Sequence, residues 1–436
     1  MYLSKKGIQK SLGPGILLAG AAIGGSHLLS STIAGARFGF GLVGLILITN
    51  LLKYPFLLVG TRFTSSTGKS LLEGFKDRNS LYLPIFLIVS LITGTFTIAA
   101  VSFVSGVLLT NIPLFSNFPP MDLSIGILVV CGLILLLGEY RALDRISKFL
   151  VALLTFLTLF AVISLLTKGS INESLSLSWI EPKISPWKLS NLSFLIPLMG
   201  WMPCPVELCV WPSLWMFSRA KDSNYKPNVR ESEFDFNLGY LITVITAVFF
   251  VTLGAITMYG TGDEMLSGSG VFFAQKLIRL YTNSIGVWSK WIIIPASFAA
   301  MFSTTLTCLD AYPRSISSIQ GLLKGTDKGH MESAFEKTRF RTWMIMHIFA
   351  SLLALLIAKS GGIGVKDFVF GAMTGSFLTA PIFAWMAMDT INSNLVPTNH
   401  RFGLLLRSIC WIGLIFLTAF SLLFIANSFF GLGYVN

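Results

Sequence analysis

Apolar and polar positions along this chain are sorted into long blocks, with apolar runs of helix length near residues 13 to 38, 41 to 62, 81 to 111, 121 to 140, 144 to 167, 190 to 217, 237 to 261, 287 to 310, 342 to 358, 366 to 390 and 403 to 430. A helix of about 20 apolar residues crosses a bilayer core, so the pattern predicts eleven candidate spans. The polar stretches 218 to 235 and 315 to 340 read as loops between spans, and 263 to 285 has room for a short interfacial helix. The expected fold is an all-α integral membrane protein in which residues 1–436 form a single transmembrane domain.

Composition agrees. Of 436 residues, 53% are hydrophobic and 12% charged, about half the charged share of a soluble domain. The net charge of +12 does not point to nucleic acid, because the basic residues are scattered between apolar runs. An N-terminus on the inside puts Lys5, Lys6, Lys10, Arg62, Lys69, Lys76, Arg78, Arg141, Arg145, Lys148, Arg219, Lys221, Lys226, Arg230, Arg401 and Arg407 on the cytoplasmic side, together with the segment 311 to 341. That assignment gathers roughly 22 of the 32 Lys and Arg inside and supports N-in, C-out. Cys131, Cys204, Cys209, Cys308 and Cys410 lie in or beside apolar runs without a paired spacing, which suggests neither a disulfide framework nor a zinc site. The first residues lack a small-residue cleavage site after a short apolar core, so no removable signal peptide is expected.

Two spans are interrupted. The first carries Gly24, Gly25 and Ser26 in mid-membrane, where a continuous helix favours Ala or Leu. The sixth carries Pro203 and Pro205, each of which deletes a backbone donor. Broken helices at positions one and six, five spans apart, point to an inverted repeat with its substrate site between the breaks. The repeats would cover roughly 13–167 and 190–390, with an additional helix at 403–430.

From Gly13 to Phe56 the chain resembles the first two helices of the Nramp family of divalent-metal transporters, which share the LeuT-type fold: a GPG start, a glycine-rich break, then AGARFGFGLVGLILITNLLKYP. The pair Met202-Pro203 and the eleven-span pattern extend the resemblance over most of the chain. Family members with metal-carrying sites have Asp-Pro-Gly-Asn at the first break; Gly24-Gly25-Ser26-His27 stand in those places here. The family's Met-Pro-His pattern becomes Met202-Pro203-Cys204, and Cys209 takes the place of its second His. The acidic pair that the family links to proton movement falls on Ala100 and Phe103, and Met373 stands where metal carriers have a glutamine ligand.

The resemblance therefore implies a secondary transporter with an altered substrate site, built from Gly24, Gly25, Ser26, His27, Met199, Met202, Cys204 and Met373. A bare divalent cation normally needs a carboxylate to replace its hydration shell, and the first break has lost one. The amides of Gly25, Ser26, His27 and Leu28 at the start of the outer half-helix would instead form a donor nest that suits an anion. Trp201, Phe194 and Met199 would line an apolar side. The expected substrate is a small carboxylate-bearing solute such as an amino acid or a derivative; the alternative is Mn²⁺ or Mg²⁺, held through Met202, Glu207 and backbone carbonyls. Glu207, an acid inside a span, is a candidate for coupling or for a cation site, or for a pair with Lys53. Asp310 is a second acid that could move protons, H⁺ or Na⁺ being the possible coupling ions. Lys53 is expected to snorkel or to pair. The partners are then the lipid bilayer and a small-molecule or ion substrate, with no nucleic acid and no cofactor, and a bacterial inner membrane is the expected location. No nucleophile-base motif, HExxH or phosphate loop suggests an enzyme, and no appended domain suggests a sensor.

Overall fold

Helix boundaries follow local start and stop signals. The computed structural model describes residues 5–167, 175, 177–178, 181–260, 275–276, 278–279, 282, 286–325 and 334–430. After α1 (Lys5–Ser11), α2 (Pro14–Ala22) opens with Pro14 in its first turn, where the missing amide would have had no partner. The Asp235 carboxylate caps this helix, accepting the amides of Gly13 at 2.9 Å and Gly15 at 2.6 Å. A π-helical turn (Ser26–Ser31) and α3 (Thr32–Phe38) continue the first span beyond a bend of 48°. Gly39 stops α3 with φ of 57°, a region that a side chain disfavours. α4 (Val43–Thr67) ends at a left-handed Gly68, and α5 (Leu71–Arg78) begins with a capping box between Ser70 and Glu73.

α6 (Tyr82–Leu109) and α7 (Pro120–Thr167) follow, then α8 (Leu192–Gly200) and α9 (Val210–Ser223), joined through the non-α residues 201–209. The chain closes with α10 (Val229–Met258), α11 (Lys290–Leu323), α12 (Ala334–Ser360), α13 (Val365–Ile391) and α14 (Leu404–Phe430). Among the described residues, nine helical segments are long and apolar enough to cross a membrane, α7 supplying two of them (Pro120–Leu137 and Arg145–Thr167). The bent α2–α3 unit makes a tenth, and α8–α9 is the second interrupted unit. Apolar side chains such as Leu405, Trp411, Ile415 and Leu422 of α14 stand exposed on the outside, as lipid contact requires.

Two polar stretches differ from their reading as loops. Residues 218 to 235 are mostly the end of α9 and the start of α10, the latter begun by a capping box between Asn228 and Glu231. In 315 to 340, the segment to Leu323 belongs to α11, where Ser315, Ser317 and Ser318 are buried; Ser315 returns its hydroxyl to Ala311 O at 2.8 Å. Serines that bond their own helix look polar in sequence and pack as core. The segment 263 to 285 lies almost wholly outside the described residues.

Close backbone crossings hold the bundle together. A Cβ at Gly15 would enter the main chain of Asp235, and one at Gly239 that of Gly15, so α2 and α10 touch backbone to backbone. Basic residues gather at one end. There Lys148 donates to Leu12 O at 3.0 Å, Arg219 to Lys10 O at 2.9 Å, Arg62 pairs with Glu233, and Arg78 makes two 2.7 Å bonds to Asp389.

Candidate substrate site at the two helix breaks

The two interruptions meet in the middle of the bundle. Between them lies a cavity of about 20 Å³, lined by Gly25 and Ser26 from the first break and Trp201, Pro203 and Cys204 from the second. Thr97 and Val101 of α6 and Thr304 and Cys308 of α11 complete its walls, with Trp211 at the α9 side. That volume holds about one water-sized occupant. Thr97 Oγ1 is buried without a hydrogen-bond partner among the described residues. Trp201 is held in place by its indole N–H, which donates to Ser376 Oγ at 3.0 Å.

Of the residues expected at the site, Gly25, Ser26, Cys204 and, on the apolar side, Trp201 line the cavity; the others do not. Gly24 faces α11, where an added Cβ would meet Thr304 Oγ1 at 2.6 Å. His27 points away from the cavity: its Nε2 lies 3.0 Å from Thr243 O and its Nδ1 2.8 Å from Ser26 Oγ. A carbonyl only accepts, so Nε2 carries the hydrogen; the one Ser26 hydroxyl hydrogen serves either His27 Nδ1 or Ala22 O, 3.1 Å away, and His27 is a packed residue bonded within the helix bundle. Met199 and Met202 are buried beside the break but outside the lining. Met373 Sδ accepts from Ser30 Oγ at 3.5 Å, one layer behind Gly25. Phe194 belongs to a different cluster, with Phe38 and Phe370 at 5.8 and 6.0 Å.

The expected four-amide nest is smaller in the structure. The amides of His27 and Leu28 turn back onto Gly24 O at 3.2 and 2.9 Å, which leaves at most Gly25 and Ser26 to face a ligand. Sequence reasoning missed Thr97, Thr304 and Cys308; helical spacing in α6 and α11 puts hydroxyls on many faces and does not single these out.

The charged groups near the breaks also differ from expectation. Lys53 neither snorkels nor pairs with Glu207. Its side chain is fully buried and donates to Met199 O at 2.6 Å, Gly200 O at 2.8 Å and Cys204 O at 3.1 Å. Glu207, 1% exposed, accepts from Tyr312 at 2.6 Å and from Thr93 at 2.8 Å, with no cationic partner among the described residues. Asp310 is not free: Arg314 and the Trp215 indole N–H both donate to it. No group of three or more His, Cys, Asp and Glu able to hold a metal ion occurs among the described residues.

An all-helical membrane bundle with two broken helices around a central cavity is a transporter architecture of the LeuT type. Residues 15–427 match the family described as natural resistance-associated macrophage protein-like, Nramp. The chain belongs to the Nramp family, and it is a secondary transporter and not an enzyme. It is 36% identical over 418 residues to an uncharacterised protein of Pasteurella multocida (strain Pm70), covering 96% of this chain and 92% of that one. It is 26% identical over 302 residues to the divalent metal cation transporter MntH of Lacticaseibacillus casei (strain BL23), covering 68% and 64% of the two chains. A manganese transporter of Eremococcus coleocola shares the fold with a TM-score of 0.67 at 16% identity, covering 98% of this chain and 88% of that one. MhsT, solved in complex with L-phenylalanine, follows with a TM-score of 0.64 at 14% identity, covering 93% and 98%.

Proposed function

We propose that this Nramp-family transporter moves a small carboxylate-bearing solute, an amino acid or a cyclic derivative of one, through the cavity between its two helix breaks. The observation that carries this reading is the charge around that cavity. Among the described residues no acidic side chain lines it, and the Lys53 ammonium is bonded to the carbonyl of Cys204, a lining residue. A divalent cation there would meet a fixed positive charge in place of the carboxylate it needs. A carboxylate would instead meet the Gly25 and Ser26 end of a half-helix and the Thr97 hydroxyl, with Trp201 and Trp211 for an apolar remainder. Because the cavity has room for about one water, such a solute enters only when the bundle opens, as alternating access requires.

Glu207 is the proton carrier in this scheme. It is a buried acid with hydroxyl partners alone, and an unpaired acid inside a membrane is expensive unless it does a job. The positive-inside rule favours the basic end of the bundle facing the cytoplasm, with the N-terminus inside and the C-terminus outside, in a bacterial inner membrane. The single domain comprises the two inverted repeats and the extra helix α14.

A second reading, transport of Mn²⁺ or Mg²⁺, is favoured by two observations. Relatives with a named activity are divalent metal cation transporters, and the cavity is the size of one small occupant. Met202 and Glu207 would then have to turn toward the cavity. The test is the thermal stability of the purified protein in detergent against Mn²⁺, Mg²⁺, Zn²⁺, small amino acids and lactams, since a substrate stabilises the state that binds it. A shift with an organic acid and none with metals supports the first reading; a shift with Mn²⁺ or Mg²⁺ alone overturns it.

A further inference from the structure

Three carbonyl oxygens converge on one point at the second helix break. Met199 O and Gly200 O are the last carbonyls of α8, beyond its regular ladder; Met199 O has a long 3.4 Å bond from the Met202 amide and capacity for a second donor. Cys204 O belongs to the unwound link. The aligned peptides of α8 also give its C-terminal end a partial negative charge of about half an electron. Carbonyls at the C-terminal end of a broken half-helix are the arrangement with which transporters of this architecture hold a coupling Na⁺. Here the position is already filled. Lys53 reaches it from α4 and bonds all three oxygens, at 2.6, 2.8 and 3.1 Å. Three acceptors call for three N–H donors, and a lysine has three only as the ammonium.

We propose that Lys53 is a built-in substitute for a coupling cation: its ammonium occupies the carbonyl cage at the break between α8 and α9, and the transport cycle therefore takes no sodium ion. The lysine is tied to α4, so it stays in the cage when a free ion would leave it. It also holds the open end of α8 in shape without a solute, which fixes the positions of Trp201 and Cys204 in the cavity wall. The inference does not depend on which solute is carried.

The experiment uses alkali cations alone, so its failure is separate from a failure of the proposed substrate class. Binding of radioactive sodium to the purified full-length protein is measured together with melting temperature in detergent, with Na⁺, K⁺ or N-methylglucamine at equal ionic strength. The wild type is expected to bind no sodium saturably and to melt at the same temperature in all three. Lys53→Ala empties the cage; it is expected to melt lower in N-methylglucamine and to be restored in a saturable way by Na⁺ or by methylammonium. Lys53→Met fills the cage with an apolar group and is expected to melt lower with no restoration. Saturable sodium binding by the wild type overturns the proposal, and this measurement stands even if neither variant folds. A folded Lys53→Ala that responds to no cation, or a Lys53→Met that sodium restores, overturns it as well.

Discussion

Tyr312 donates its hydroxyl to Glu207 Oε1 at 2.6 Å, and in doing so joins α11 to the unwound link between α8 and α9. Thr93 of α6 donates to the other carboxylate oxygen at 2.8 Å, so helices on two sides of the link meet on one acid. Tyr312→Phe deletes the hydroxyl while its ring can keep the edge-on contact with Trp211, centroids 5.0 Å apart. The loss of a bond to a buried acid is expected to reduce stability by about 1–3 kcal/mol. A lowered melting temperature in detergent is the readout; an unchanged one means that the hydroxyl does not serve Glu207.

Glu207→Gln keeps an acceptor oxygen for one hydroxyl and offers an amide N–H to the other, so the variant is expected to fold. It has no proton to carry. Uptake of a labelled amino acid or lactam driven by an imposed pH gradient in proteoliposomes should be abolished, while exchange of the same solute down its own gradient persists and no longer varies with pH. Asp310 is held by Arg314 and Trp215 and is not placed to take over. A Gln variant that still concentrates solute against a pH gradient rules Glu207 out as the carrier.

Asp235 ties α10 to the start of the first span by accepting both Gly13 and Gly15 amides. Asp235→Ala removes both bonds at a helix N-terminus and is expected to lose about 0.5–2 kcal/mol. Asp235→Asn retains one acceptor oxygen and should fall in between. Equal melting temperatures for all three proteins would show that the cap contributes nothing to the folded bundle.

Long apolar runs and mid-span Gly and Pro residues made the spans and both interruptions legible, because each is a local property of the chain. Side-chain direction was not. Lys53 looks like a snorkelling or paired lysine until its partners, carbonyls about 150 positions away, are known; a main-chain oxygen leaves no mark in the sequence. His27 invited a site role because it follows the break, yet its ring bonds Thr243 O, 216 residues on. Polar residues of α11 read as a loop because composition cannot show where a hydroxyl goes: Ser315 bonds Ala311 O of its own helix and Ser317 accepts from Arg339 of α12. The resemblance marks Gly24 as the place of a lost acid, but which wall of the bundle it faces depends on how α2 leans on α11.

Restoring that acid tests the substrate class directly. A Cβ at Gly24 would meet Thr304 Oγ1 at 2.6 Å and Cγ2 at 3.0 Å, closer than such contacts occur. Thr304 is not free to swing away, because its hydroxyl donates to Gly20 O or Ala300 O at 3.1 and 3.2 Å. Gly24→Asp alone is therefore expected to melt lower than the wild type. Adding Thr304→Ala removes the two clashing atoms and should recover much of the loss. In the double variant a carboxylate stands at the break toward the Thr304 wall of the cavity, repelling a carboxylate-bearing solute and supplying what a divalent cation lacks. Stabilisation by amino acids or lactams should disappear and stabilisation by Mn²⁺ should appear. A folded double variant that an organic acid still stabilises would place the solute's carboxylate elsewhere than the first helix break.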